Sequence, residues 1–306
     1  MRVAFNCALL GATSVLLAGC VAGQEIGTKI GSWQPQGIST APVKGEPLPN
    51  FVIGESFHFD DGRSETVVGV DGEVLTWRAS GGVSRTTFRN PLLPYLQWWG
   101  GQYAGRLQQT DLKPTTLWPP SPGQYTRFYL VMTEAQLGKA EQRYTQDWEC
   151  KVDGAGKTTV PAGTFDTQKV VCYRTYSGYL RQTRTFHYAP ALGYYVARHD
   201  ESVSNGTSGR KLTAHEFDTS VLPDAERKAL VAQVQATLGK SPDGKPVAWQ
   251  DSKKQINVQI LPLSTDNKGP GGAKCRSYNG VFNLGGKTLV NHRRACLGKN
   301  GQWVQA

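Results

Sequence analysis

Glu65-Thr66-Val67-Val68-Gly69-Val70-Asp71-Gly72-Glu73-Val74-Leu75-Thr76-Trp77-Arg78 carries the pattern that decides the fold of this chain. Two runs rich in valine, threonine and tryptophan flank Asp71-Gly72. β-Branched and aromatic side chains favour extended backbone. Asp-Gly between two such runs signals a hairpin, because glycine accepts the positive φ that a tight turn demands. The stretch therefore reads as two antiparallel strands. A second Asp-Gly, Asp61-Gly62, separates it from Ser56-Phe57-His58-Phe59, another strand, and Ser84-Arg85-Thr86-Thr87-Phe88 reads as a fourth. Strands joined in order by short turns make a β-meander.

The same texture continues at 125–132, 144–152, 168–173, 184–188, 194–198 and 211–217. Asp153-Gly154-Ala155-Gly156 is expected to turn the chain after Val152. Residues 91–103 and 113–123 are proline-rich and read as loops, the first with a short helix as its alternative. Adjacent Trp98 and Trp99 within it either plug the core or offer flat faces to a ligand. The expectation for residues 50–220 is a mainly β domain, a curved antiparallel sheet or sandwich.

One helix follows. Pro223 suits a first turn, Asp224 and Glu226 sit at its positive end, and Gly239 ends it. Ala229, Leu230, Val234 and Leu238 recur at helical spacing. Residues 221–306 then read as this helix plus a small disulfide-closed β domain with Trp249 and Trp303 in its core.

The N-terminus carries a different message. Arg2 precedes an apolar run that ends in Leu17-Ala18-Gly19-Cys20. A positive start, a short apolar stretch and small residues make a secretory signal, too short to span a bilayer permanently. Leu-Ala-Gly-Cys resembles the lipobox of bacterial lipoproteins. The resemblance implies that residues 1–19 are removed, that Cys20 is acylated, and that the protein is anchored to a membrane without spanning it. Val21, in place of the aspartate that retains such proteins in the inner membrane, implies the outer membrane. Residues 20–49, scattered in polarity and rich in glycine and proline, read as a flexible tether.

Export places the remaining cysteines where disulfides persist. Cys150, Cys172, Cys275 and Cys296 allow three pairings. Cys150–Cys172 and Cys275–Cys296 are expected, because each pair lies inside one β unit. No Cys-x-x-Cys and no histidine pair at ligand spacing occurs, so neither a metal site nor a cofactor is expected.

The chain has 306 residues and a net charge of +10, unevenly placed. Residues 251–306 hold nine basic side chains against Asp251 and Asp266. Lys253, Lys254, Lys274, Arg276, Lys287, Arg293 and Arg294 form the candidate polyanion-binding set, since concentrated charge makes a long-range field. The plainer alternative is a solvated face. Lipopolysaccharide, peptidoglycan or another envelope protein are the expected partners; nucleic acid is not, outside the cytoplasm.

The C-terminal motifs Gly244-Lys-Pro-Val-Ala-Trp249, Cys275-Arg276-Ser277-Tyr278, Gly285-Gly286, Arg294-Ala295-Cys296 and Gly301-Gln302-Trp303 resemble the C-terminal domain of rickettsial-type surface-antigen lipoproteins. That resemblance implies an envelope location and no reaction. Leu297 departs from it, standing where that family often carries arginine. The segment Val160–Thr167 with Tyr188–Val196 also resembles β-rich envelope proteins of proteobacteria.

Catalytic motifs are lacking: no Gly-x-Ser-x-Gly, phosphate loop, His-Glu-x-x-His or dinucleotide fingerprint occurs. The chain thus reads as a non-catalytic outer-membrane lipoprotein that binds an envelope component. The alternative is a carrier of a lipid or lipoprotein, with an apolar hollow lined by Trp77, Phe88, Trp98 and Phe128. A cleft joining His187 or His199 to a carboxylate would instead mark catalysis.

Overall fold

The computed structural model describes residues 46–251, 253 and 255–306. The signal segment, Cys20, most of the tether and Lys254 lie outside the described residues.

Twelve strands run in sequence: β1 (Glu55–Phe59), β2 (Ser64–Asp71), β3 (Val74–Ala79), β4 (Ser84–Phe88), β5 (Gln97–Gly100), β6 (Tyr103–Thr110), β7 (Tyr125–Gln136), β8 (Gln142–Val160), β9 (Gly163–Tyr176), β10 (Tyr179–Ala189), β11 (Tyr194–Ser202) and β12 (Gly206–Phe217). Each pairs antiparallel with the next. The first hairpin forms as its sequence reads: Asp71 pairs with Val74, and Gly72 takes φ 54° in the turn between them.

The architecture corrects the expected curved sheet or sandwich. β1 pairs on one side with β2 and on the other with β12, with Glu55 opposite Phe217 and Phe57 opposite His215. The meander is therefore a closed barrel with no free edge. Alternation of apolar and polar residues is the same on an open, folded-over or closed sheet, because all three have one buried face. Only the pairing of β1 with β12, about 160 residues apart, distinguishes them.

Two local expectations are also corrected. Asp153-Gly154-Ala155-Gly156 does not turn the chain. β8 runs straight through it, with a register shift between Val152 and Gly154, and neither Gly154 nor Gly156 adopts positive φ. Asp153 is held instead by Lys151 (3.1 Å) and Lys169 (2.9 Å). The extra residue is absorbed as a bulge, which bends and twists a strand without ending it. Residues 97–103 are likewise strand β5 and the start of β6. There Trp98 lies flat across Gly105 of β6, where a Cβ would collide with the indole.

In a continuous meander the hairpins β1–β2, β3–β4, β5–β6, β7–β8, β9–β10 and β11–β12 gather at one end of the barrel. The opposite end is plugged by the connections after β4 and β6, whose Leu92, Leu93, Leu112, Leu117 and Trp118 join the buried core. Residues 46–54 pack at that end too. Phe51 meets Trp77 edge-on at 5.5 Å, and the Trp118 indole donates to the Glu46 carbonyl (3.1 Å).

After the barrel, helix α1 (Asp224–Lys240) lies beside a five-stranded antiparallel sheet of β13 (Val247–Gln250), β14 (Asn257–Asp266), β15 (Cys275–Leu284), β16 (Lys287–Leu297) and β17 (Trp303–Gln305). Leu230 and Leu238 face inward as their spacing predicts, but Ala229 is exposed and Thr237 is buried in its stead. Trp303 is buried and Trp249 half-buried. The Asn291 side chain clasps the end of β12, accepting from the Phe217 N–H (2.8 Å) and donating to its carbonyl (2.7 Å). No helix among the described residues is long and apolar enough to cross a membrane.

Candidate functional site

Strand periodicity aims a set of charged side chains into the barrel. Glu65 on β2 is fully buried. It receives Arg85 of β4 (2.8 Å) on one oxygen and Arg210 of β12 (2.8 Å) on the other, with Tyr194 of β11 donating its hydroxyl. Burial alone would raise the Glu65 carboxyl, but the two guanidinium groups overcome it and hold the carboxyl at about 2. A second carboxylate, Asp200 on β11, accepts from Gln182 (2.8 Å) and Arg184 (2.6 Å) of β10 and from Arg198 (2.5 Å) two residues before it. Desolvation opposes its charge, and Arg184 and Arg198 lower it regardless.

Arg174 on β9 completes the set and differs from the others. Among the described residues it makes no ion pair, and its buried Nε, like that of Arg85, has no hydrogen-bond partner. Burial depresses this guanidinium, as it does Arg184, where Arg198 adds repulsion. Five arginines thus face two carboxylates. Tyr95 registers the excess. Burial pushes its phenol up, but Arg85, stacked over its ring at 4.7 Å, and Arg198 bring it down to about 8.

Above this layer, toward the hairpin end, lies a cavity of about 600 Å³. Arg85, Arg174, Arg184 and Arg210 line it together with Trp98, Leu130, Met132, Tyr144 and Trp148, and Arg184 lies over the Trp148 ring at 5.4 Å. Arg63 and Glu134 stand among its walls with opposite charge. The volume suits a small organic ligand. Guanidinium groups, planar and permanently charged, recognise carboxylate and phosphate through paired hydrogen bonds.

The histidines that would mark catalysis stand away from this cavity. His187 bonds Thr158 (3.0 Å) and His199 pairs with Glu201 (3.2 Å) on the exposed surface; neither lines the cavity. Ser56 (3.3 Å) and Glu216 (4.0 Å) both approach the same nitrogen of His58, so they form no relay through the ring. No cluster of three or more metal-ligating side chains occurs among the described residues.

The four cysteines pair as Cys150–Cys172 and Cys275–Cys296, each directly opposite across neighbouring strands with Cα atoms 4.0 Å apart. The seven basic C-terminal residues do not form one free face. Arg276 is buried against the Leu238 carbonyl and Asp243. Lys287 reaches Glu55 (2.6 Å), Arg293 reaches Glu216 (2.6 Å) and Arg294 reaches Asp266 (2.8 Å). Lys253 and Lys274 stay exposed. Most of the neutralising carboxylates come from other segments, which a count along residues 251–306 cannot include.

The four residues of the alternative apolar hollow do not come together around the cavity. Trp98 lines it, but Trp77 and Phe128 are packed in the core and Phe88 lies partly against it. The sequence reading missed the arginines. The available signal was charge at same-face spacing inside otherwise apolar strands, as in Arg198 and Asp200.

No protein-family model matches the chain, and no curated protein matches it, so the surface-antigen resemblance of residues 221–306 has no counterpart there. Among solved structures, the chain is similar to a hypothetical lipoprotein of Escherichia coli, YmcC. The likeness has a TM-score of 0.37 and 10% identity, over 52% of this chain and 82% of that one. A likeness that remote carries no argument about function.

Proposed function

We propose that the chain is a non-catalytic lipoprotein of the bacterial envelope. In this reading it is held at the outer membrane through an acylated Cys20 and binds an envelope ligand in its barrel. The observation that carries the binding role is the cavity of about 600 Å³, open at the hairpin end and floored by Glu65 in ion pairs with Arg85 and Arg210. The lipobox-like Leu17-Ala18-Gly19-Cys20 supports the anchor. Arginines in the wall weigh against the alternative of a plain acyl-chain carrier, since hydrocarbon does not compensate a desolvated cation.

The test is expression of the full chain in a Gram-negative host fed labelled fatty acid. The protein should take up label and fractionate with the outer membrane, and Cys20→Ser should lose both. The detergent-purified protein should retain lipopolysaccharide or peptidoglycan in a pull-down. A protein without label that distributes to the soluble fraction would overturn the anchor. Retention of neither probe would overturn the binding role.

A further inference from the structure

The hairpin end of the barrel carries an unusual surface. Val83 on the β3–β4 turn, Trp99 and Tyr103 at β5–β6, Leu137 at β7–β8, Tyr176 and Tyr179 at β9–β10, and Val203 at β11–β12 are all exposed, Leu137 by 78%. Five of the six hairpins around the mouth therefore present a large apolar or aromatic side chain to solvent. Scattered exposed apolar residues are ordinary, but a ring of them around one opening marks a contact surface. Tyrosine and tryptophan are the side chains favoured at the boundary between lipid and water. Lys139, Arg143 and Arg181 on the same hairpins add positive charge against Glu141.

Behind this ring stands Arg174, a half-buried cation whose Nε is buried without a hydrogen-bond partner and which makes no ion pair among the described residues, backed by Arg85, Arg184 and Arg210. Trp98, Leu130, Met132 and Trp148 supply an apolar wall beside them. An acidic headgroup would satisfy Arg174, and the start of an acyl chain would cover the wall. We propose that the barrel mouth rests on a lipid surface and takes in the phosphate headgroup of an anionic lipid, with Arg174 as its first contact. This deepens the envelope-binding reading above and rests on it.

The test uses the full chain purified in a neutral detergent, with binding read from tryptophan fluorescence, since Trp98 and Trp148 flank the site. The probes are dihexanoylphosphatidylglycerol, glycerol 3-phosphate and dihexanoylphosphatidylcholine. The phosphatidylglycerol should bind saturably and weaken with salt. Glycerol 3-phosphate should bind at least about tenfold more weakly, for want of the apolar contact. Phosphatidylcholine, whose phosphate is neutralised by its own cation, should bind weakly or not at all. Arg174→Ala should weaken phosphatidylglycerol binding about tenfold or more. Its unfolding temperature should not fall, because the removed cation has no ion pair to lose. Joint replacement of Leu137 and Tyr179 by serine should weaken the lipid but leave glycerol 3-phosphate unchanged.

Equal binding of the lipid and glycerol 3-phosphate would overturn the lipid source, leaving a site for a free anion. Equal binding of both lipids, indifference to Arg174→Ala, or no binding would overturn the proposal. Fatty-acid labelling and retention of lipopolysaccharide or peptidoglycan could still hold in each case, so its failure is distinguishable from failure of the broader reading.

Discussion

Replacing Glu65 by glutamine removes one negative charge and little else, since the two side chains have nearly the same shape. In the folded protein Glu65 lies between Arg85 and Arg210, each at 2.8 Å, in the floor of the cavity. Two buried guanidinium groups would be left without their counter-charge. Breaking a buried pair from one side costs about 3–5 kcal/mol. An ordinary value of 4.5 against about 2 in the folded state corresponds to about 3 kcal/mol at neutral pH. For a protein of this size about 3 kcal/mol is a fall of about 6–12 °C in the barrel's unfolding temperature.

The sign with pH follows from the lowered value. The unfolded chain takes up the proton first, near 4.5, so Glu65 contributes fully above that pH. The contribution fades as pH falls toward about 2 and is absent below it. Thermal unfolding of the full chain and of Glu65→Gln, followed by near-ultraviolet circular dichroism of the buried Trp77 region, measures the gap. It should be full at pH 7 and shrink from pH 4.5 downward. An unchanged unfolding temperature at pH 7 would refute the reasoning, as would a gap that persists undiminished at pH 2.

Two further outcomes follow from the same interior. Tyr95, brought down to about 8 by the surrounding arginines, should appear in ultraviolet difference absorbance as one phenol titrating below the rest and vanish in Tyr95→Phe. Relative to that variant, the wild-type chain should gain stability as pH rises from about 8 toward 10 and gain none below. Gly105→Ala should displace the Trp98 indole, at a cost of about 1–3 kcal/mol, seen as a red shift of tryptophan emission. An unshifted spectrum would show that the strands can part without moving Trp98.

Residues such as Val67, Leu75 and Trp77 made the first hairpins legible, because side-chain alternation and Asp-Gly turns act within a few residues. Asp153-Gly154 misled for the complementary reason. The same dipeptide makes a turn where the flanking strands end and a bulge where a long partner, here β9, keeps pairing on both sides. Trp98 could be narrowed only to core or ligand face. Its place in the cavity wall depends on Gly105, a residue of the adjoining strand. The basic C-terminal set looked like a free surface along the chain, yet Glu55 and Glu216, far away in sequence, neutralise Lys287 and Arg293.

By itself, the sequence determined the β character, the Asp61-Gly62 and Asp71-Gly72 turns, the helix after Pro223 and the cysteine pairs within each β unit. These depend on backbone preference and short-range spacing. Tertiary structure alone decided that the meander closes, which end is plugged, and that Arg85, Arg174, Arg184, Arg198 and Arg210 share one interior with Glu65 and Asp200. The physical reason is that closure is one long-range pairing, of β1 with β12. Charges from five separate strand positions acquire a common low-dielectric surrounding only after that pairing forms.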